Sequence, residues 1–358
     1  MKKLITIIAT LFLVVSIYGC QSRERIYVLN WGDYLDESLI KDFEKEFNVR
    51  VKYKTVGSNE EMASLLKAKN AVYDLVFPSD YMIDKFVEDD LIQTIDFSLL
   101  PNHETLSLNQ TLAGLYEGYG ISDYVVPYAW GTIGIMYRTD KPGLKELLET
   151  KEWAVLFEYG DTYRTGMYDS PRDAVAAALL YLGYSVNSEN EGELAEAEVA
   201  LKNAGFYAWG EDNLKGRVIA NTLDLALVYS GDYFSEYYSA VEDEREINFG
   251  FYVPNATNVW MDGMVIPKIA RNVPLAHKFI DFLLREDIAL ANYQYIGYAP
   301  PYDLIYDEIY AEIETDFGGL AANFDPYPEG SIREMYVYGS NERSKSIVDI
   351  LQRAKASS

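Results

Sequence analysis

The sequence has one cysteine and two histidines among its 358 residues, and this scarcity excludes several kinds of site. A single cysteine, Cys20, allows no internal disulfide, so the fold depends on core packing. The histidines, His103 and His277, lie in unrelated contexts, and we expect His277 on the surface of an amphipathic helix. No histidine–glutamate zinc motif, cysteine pair, phosphate loop or nucleophile elbow is present. The sequence therefore predicts a protein that is not an enzyme and needs no cofactor.

Positive charge is also scarce. The chain carries 31 lysine and arginine residues against 56 aspartate and glutamate residues, a net charge of −25. Such an excess repels nucleic acid and anionic lipid and attracts cations, although an acidic surface also serves solubility alone. The 31 tyrosines and 5 tryptophans are a stronger indication of a cationic ligand, because aromatic faces bind cations and alkyl chains.

Long apolar runs are absent except at the start of the chain. Lys2 precedes an apolar stretch over residues 4–17, which is too short for a confident membrane span and is typical of a secretion signal. Residues 17–20 resemble a lipobox, so we predict a lipoprotein signal peptide over 1–20 and lipidation of Cys20. The alternative is that this cysteine is an ordinary thiol after a normal cleavage site. The expected location is the cell envelope, lipid-anchored on the extracytoplasmic side, in the periplasmic space or at the cell surface.

The remaining chain alternates strand and helix patterns. Strands are predicted at 25–30, 49–53 and 73–78, with Asp36 and Ser58 as caps of the two intervening helices. This order predicts a parallel α/β sheet with right-handed connections. About 335 residues follow the leader, which are too many for one small core and suit two lobes.

Aromatic and acidic side chains follow two of these strands. Residues 30–34 (Asn-Trp-Gly-Asp-Tyr) come after the first strand, and residues 79–81 (Ser-Asp-Tyr) come after the third. Ligands of such sheets bind beyond the carboxyl ends of the strands, so these segments predict a site. The alternative is that Trp31 and Tyr34 form a hydrophobic lid on the next helix.

The second half of the chain predicts a second α/β unit. Pro127, Gly131 and Gly134 interrupt apolar strand sequence, which indicates a bend between two lobes. Further predicted elements are a helix over 174–182, a strand over 225–229, a return strand over 259–267, and helices over 276–284 and 344–355.

Five segments carry a resemblance to a known family: 30–34, 73–79, 127–131, 260–262 and 296–300. In this order they resemble the sequence blocks of polyamine-binding proteins, the solute receptors of spermidine/putrescine ABC importers. The resemblance implies an α/β fold of the two-lobe periplasmic-binding-protein type II class, with crossing hinge strands. It also implies a membrane permease and a cytoplasmic ATPase as partners.

The same resemblance sets the expected boundaries of the lobes. Lobe 1 is expected to comprise 24–127 and 261–303, and lobe 2 is expected to comprise 128–260 and 304–358. We expect a monomer that closes its lobes around the ligand.

The resemblance assigns roles to individual positions. The aromatic residues around the methylene chain of the ligand would be Trp31, Tyr34, Trp260 and Tyr298. Ser79 and Tyr81 would lie near an amine, and Asp262 and Asp173 would each pair with an ammonium. The charge at Asp173 also has a structural explanation, since a carboxylate is favoured at a helix start.

Some positions depart from the spermidine receptors. Ser170 replaces an aspartate that those proteins commonly have, and Tyr229 stands where they favour tryptophan. Asp232 and Asp33 instead match acidic positions of the putrescine receptors. The preferred polyamine therefore stays open, and Tyr336 or Tyr338 falls near the contact expected from the C-terminal tail.

Other functions share parts of this pattern. A polyamine sensor for a signalling partner, or a receptor for a different small solute such as a sugar, peptide or iron, would have the same lobes. Paired carboxylates among tyrosines also occur in glycosidases. Because bound ammonium groups need ionised carboxylates, polyamine affinity is predicted to fall as the pH drops toward 4.

Overall fold

The computed structural model describes residues 23–317 and 321–356. The predicted signal peptide and Cys20 lie outside the described residues. Within the described ranges, no helix is both long enough and apolar enough to cross a membrane.

Strands and helices alternate through most of the described chain. The strands are β1 Arg25–Trp31, β2 Arg50–Val56, β3 Leu75–Val76, β4 Ile92–Gln93, β5 Val126–Gly131, β6 Ile133–Arg138, β7 Thr165–Tyr168, β8 Ala208–Gly210, β9 Leu225–Tyr229, β10 Phe249–Tyr252, β11 Ala256–Asn258, β12 Trp260–Met264, β13 Ile266–Pro267 and β14 Ile332–Glu334. The α-helices are α1 Glu37–Phe47, α2 Asn59–Lys67, α3 Asp80–Glu88, α4 Pro101–Leu106, α5 Gln110–Gly118, α6 Leu144–Lys151, α7 Ala154–Glu158, α8 Pro171–Leu182, α9 Glu191–Asn203, α10 Asn213–Ile219, α11 Ser230–Glu242, α12 Val273–Leu283, α13 Glu286–Ile296, α14 Asp303–Phe317 and α15 Asn341–Lys355.

The first sheet confirms the parallel arrangement predicted from the sequence. Its order is β2-β1-β3, with all pairs parallel. Asp36 caps α1 by accepting from the N–H of Ser38, and Ser58 caps α2 by accepting from the N–H of Glu61. The third strand is shorter than predicted, because only Leu75 and Val76 have regular pairing.

The second sheet has five strands in the order β10-β6-β9-β7-β8. Its central strands β7 and β9 are parallel, whereas β6 runs antiparallel to both β9 and β10. The predicted strand over 225–229 is confirmed as β9.

Two antiparallel strands connect the sheets. The strand β5 pairs with β12. A single residue separates the end of β5 from the start of β6, which belongs to the second sheet. Backbone hydrogen bonds also join Val76 of β3 to Val265, immediately after β12. The fold is therefore the predicted two-lobe α/β type with crossing strands.

The C-terminal part of the chain packs on both halves. The helix α14 contacts α13 and α4. The last helix, α15, packs against α8 and α9 of the second half, and it begins three residues earlier than predicted.

The expectation that His277 lies on the surface was wrong. The residue belongs to α12, and its side chain is buried. Its Nε2 accepts a hydrogen bond from the N–H of Asp96 at 3.0 Å, and its Nδ1 lies 2.9 Å from the carbonyl oxygen of Val273. A neutral imidazole satisfies both contacts at once, so this histidine joins α12 to a neighbouring loop.

Candidate functional site

All eleven predicted ligand-binding residues line one cavity of about 300 Å³. It lies beyond the carboxyl ends of strands from both sheets, where α/β proteins bind ligands. Its size suits a small molecule. The predicted residues that line it are Trp31, Asp33, Tyr34, Ser79, Tyr81, Asp173, Tyr229, Asp232, Trp260, Asp262 and Tyr298.

The aromatic side chains of the cavity form a continuous series of edge-to-face contacts. The ring centroid of Trp260 lies 5.1 Å from that of Tyr298 and 5.8 Å from that of Tyr229. Tyr298 in turn lies 5.2 Å from Tyr34. These contacts fix the rings before any ligand arrives, so little side-chain entropy would be lost on binding.

Asp262 lies within this aromatic group. The pairing of β12 with β5 shifts register between Asp262 and Gly263, a bulge of the kind that redirects a side chain. The carboxyl group is buried, and its burial raises the pKa to about 7, although Ser79, Tyr34 and Trp31 beside it oppose that rise.

Several buried polar atoms around Asp262 are unsatisfied. Within residues 23–317 and 321–356, Asp262 Oδ1, Tyr34 Oη, Trp31 Nε1 and Trp260 Nε1 form no hydrogen bond of regular geometry, although Tyr34 and Trp31 lie close enough to Asp262 to lower its pKa. Such groups are costly to bury without a partner, so their concentration here indicates a place for a polar ligand.

Asp80 is a second buried carboxyl group that the sequence did not single out. Its oxygens accept from the N–H groups of Tyr81 at 2.6 Å and Met261 at 3.2 Å, which ties α3 to β12. Burial, and to a smaller extent the charge of Asp262, raise the pKa of Asp80 to about 8. The sequence pattern included Asp80 only as part of the segment 79–81 after the third strand, without a role of its own.

Asp173 is held by two tyrosines. It lies in the first turn of α8, and its carboxylate accepts from the hydroxyl groups of Tyr229 at 2.9 Å and Tyr336 at 3.0 Å. Tyr336 also lines the cavity, whereas Tyr338 lies against Lys85 at 5.4 Å. Of the two tail tyrosines considered, Tyr336 therefore reaches the site.

Arg172 also lines the cavity, although the sequence pattern did not indicate it as a site residue. Its guanidinium lies 3.8 Å from the centre of the Tyr81 ring and donates to the carbonyl oxygen of Val337 at 3.1 Å. Tyr81 belongs to α3 and Arg172 to α8, so this contact joins the helices of the two sheets. A cation–π contact of this kind contributes about 0.5–2 kcal/mol.

Asp232 and Asp33 lie in different surroundings. Asp232 is buried in the first turn of α11 and pairs with Lys215, which the sequence reasoning also missed. Asp33 is exposed at the edge of the cavity, in a turn with a positive φ of 49°.

The cavity carries a strong negative charge. Besides Arg172 and Lys215, the charged residues that line it are Asp33, Glu60, Asp169, Asp173, Glu211, Asp212, Asp232 and Asp262. Within the described ranges, no group of three or more histidine, cysteine, aspartate or glutamate residues is arranged to hold a metal ion. The arrangement suits an organic cation with an apolar backbone.

Gly231 provides a test of the aromatic packing, because a Cβ there would lie 2.2 Å from Cδ1 of Tyr298. We expect Gly231→Ala to displace this ring and to lower the free energy of unfolding by about 1–3 kcal/mol, with weaker ligand binding. Chemical denaturation and calorimetry measure both effects. Gly216→Ala in α10 is the control, since its Cβ would meet nothing within 4 Å. Equal stability of the two variants would contradict the packing described for Tyr298.

Comparisons with known proteins agree with this geometry. The family model of bacterial extracellular solute-binding proteins matches residues 38–316. The spermidine/putrescine-binding periplasmic protein of Salmonella typhimurium is 32% identical over 295 residues, which cover 81% of each protein.

Two solved structures extend the likeness to nearly the whole chain. One, from Listeria monocytogenes and provisionally assigned to a spermidine/putrescine ABC transporter, has a TM-score of 0.79 and 31% identity, covering 93% of this chain and 99% of that one. The TpPotD lipoprotein of Treponema pallidum has a TM-score of 0.70 and 26% identity, covering 93% and 98% of the two chains.

Proposed function

This chain belongs to the family of bacterial extracellular solute-binding proteins, and we propose that it captures a polyamine and delivers it to an ABC importer. The observation that carries the proposal is the unpartnered Oδ1 of Asp262, buried within the aromatic group of the cavity. An ammonium group of the ligand would supply the missing partner. Members of this family are transport receptors and not enzymes.

The chemistry of a polyamine fits the cavity along its length. Its ammonium groups need carboxylates once they leave water, because an unpaired buried charge costs several kcal/mol. Asp262 and Asp173 would provide them, and the rings of Trp31, Trp260 and Tyr298 would contact the methylene groups between the charges. Each cation–π contact adds about 0.5–2 kcal/mol.

The acids of the cavity come from both halves of the molecule, and this supports a closing mechanism. Asp262 lies on β12 beside the first sheet, whereas Asp173 lies on α8 of the second half. Without a ligand, closure would bring like charges together, so the ligand would stabilise the closed state more than the open one. We propose that the halves are 24–127 with 261–303, and 128–260 with 304–358.

The proposed partners are a membrane permease and its cytoplasmic ATPase. We further propose that lipidation of Cys20 anchors the receptor, as a monomer, on the extracytoplasmic side of the membrane. The support is the leader pattern over 1–20 and the similarity to a lipoprotein of the same fold. Mass spectrometry of the membrane fraction would detect the acyl chains.

Calorimetric titration of residues 21–358 tests the proposed ligand class. We expect putrescine, cadaverine or spermidine to bind, and a neutral sugar not to bind. L-Lysine is the matched control, because it equals cadaverine with a carboxylate added. Tighter binding of L-lysine than of cadaverine, or no binding of any polyamine, would contradict the proposal.

A further inference from the structure

Lys215 brings an ammonium group of the protein itself into the cavity. Its Nζ lies 2.8 Å from Oδ1 of Asp232, and the side chains are only 15% and 9% exposed. Lys215 comes from α10 and Asp232 from the first turn of α11, so two separate helices build the pair. The other oxygen, Oδ2 of Asp232, has no hydrogen-bond partner within the described part of the chain.

The surroundings keep this pair ionised at neutral pH. Burial lowers the pKa of Lys215, but the charges of Asp232, Asp212 and Glu236 outweigh it, and the pKa is raised. Burial raises the pKa of Asp232 to about 6, with Lys215 opposing the rise. At pH 7 the pair therefore consists of an ammonium and a carboxylate. Lys215 thus presents to Asp232 the same charged group that a polyamine would present.

The aromatic contacts relate this pair to the other acids. Trp260 contacts Tyr229, whose hydroxyl group donates to Asp173. Trp260 also contacts Tyr298, and a Cβ on Gly231, the residue before Asp232, would meet this ring. The series therefore leads from Asp173 past Trp260 to Asp232, and Asp262 lies two residues from Trp260 on the same strand.

We propose that Lys215 takes the place of one ligand ammonium and gives this receptor a preference for diamines over triamines. This inference rests on the proposed polyamine function. Asp173 and Asp262 remain for two ammonium groups, whereas a third would approach Lys215 and be repelled by its charge. Repulsion between like charges at short range in a partly buried site is strong enough to exclude a ligand.

The test compares putrescine with spermidine by calorimetry on the wild type and on Lys215→Met. The wild type is expected to bind putrescine more tightly. The variant keeps an unbranched side chain only one atom shorter but removes its charge, so its affinity for spermidine should rise about tenfold or more relative to putrescine. Lys202→Met is the matched control, since Lys202 pairs with Glu198 outside the cavity, and it should leave the ratio unchanged.

Three further variants separate the charge from other effects. Lys215→Gln is a second neutral variant in case the methionine variant does not fold, and Lys215→Arg should keep the diamine preference. Adding Asp232→Asn to Lys215→Met should remove the gain for spermidine, because the freed carboxylate is then lost.

The failure of this inference is distinct from that of the proposed function. A wild type that binds spermidine as tightly as putrescine, or neutral variants with an unchanged ratio, would overturn the role of Lys215 and leave polyamine binding intact. A wild type that binds no polyamine would overturn both.

Discussion

Replacing Asp262 with asparagine is expected to lower polyamine affinity by about a hundredfold or more at pH 8. The carboxylate is buried, its Oδ1 has no partner in the described chain, and the aromatic side chains around it exclude water. An ammonium bound there would lose the carboxylate that pairs with it. Calorimetric titration with putrescine measures the loss.

The stability of the ligand-free variant distinguishes a binding role from a structural one. Burial raises the pKa of Asp262 from 3.8 to about 7, so the ionised carboxylate opposes folding above pH 7. Asp262→Asn should therefore be at least as stable as the wild type at pH 8. Asp287→Asn is the control, since this exposed residue pairs with Arg285 on the surface. An unchanged putrescine affinity in Asp262→Asn would rule out the proposed charge pairing.

Polyamine affinity is expected to fall as the pH decreases below about 7, by about tenfold per unit if one proton must leave. In the ligand-free protein burial raises the pKa of Asp262 to about 7, and the carboxyl is protonated below that value. Since an ammonium binds the carboxylate form, binding must then release a proton. The sequence alone placed this decline nearer pH 4, and burial moves the expected midpoint upward.

Titrations in buffers of different ionisation enthalpy would count the released protons at pH 6. The neighbouring Asp80, whose pKa is raised to about 8, is part of the same coupled pair, so the measured midpoint belongs to both groups. Asp262→Asn should flatten the dependence between pH 8 and pH 5. A wild-type affinity that is constant over this range would contradict the assignment.

The local patterns of the sequence predicted much of the fold. The strand predicted over 25–30 and the caps Asp36 and Ser58 depend on neighbouring residues only, and the structure has them as predicted. The predicted residues after β1 and β3 also reach one cavity, because parallel strands bring their carboxyl ends to one edge.

Tertiary contacts decided what the sequence could not. The burial of His277 involves a residue distant in sequence, Asp96, whose backbone N–H donates to the imidazole ring. Arg172 meets Tyr81 only because helices from the two sheets face each other across the cavity.

The amino-acid sequence was enough to indicate an acidic, tyrosine-rich α/β protein with aromatic residues and acids at its strand ends. Which of these acids already face a cation of the protein depends on the packing of the helices. Asp232 pairs with the ammonium of Lys215 through Oδ1, whereas no cation of the described chain forms an ion pair with Asp262. Sequence spacing does not contain this information, because the state of a buried carboxylate depends on the charges that packing places beside it.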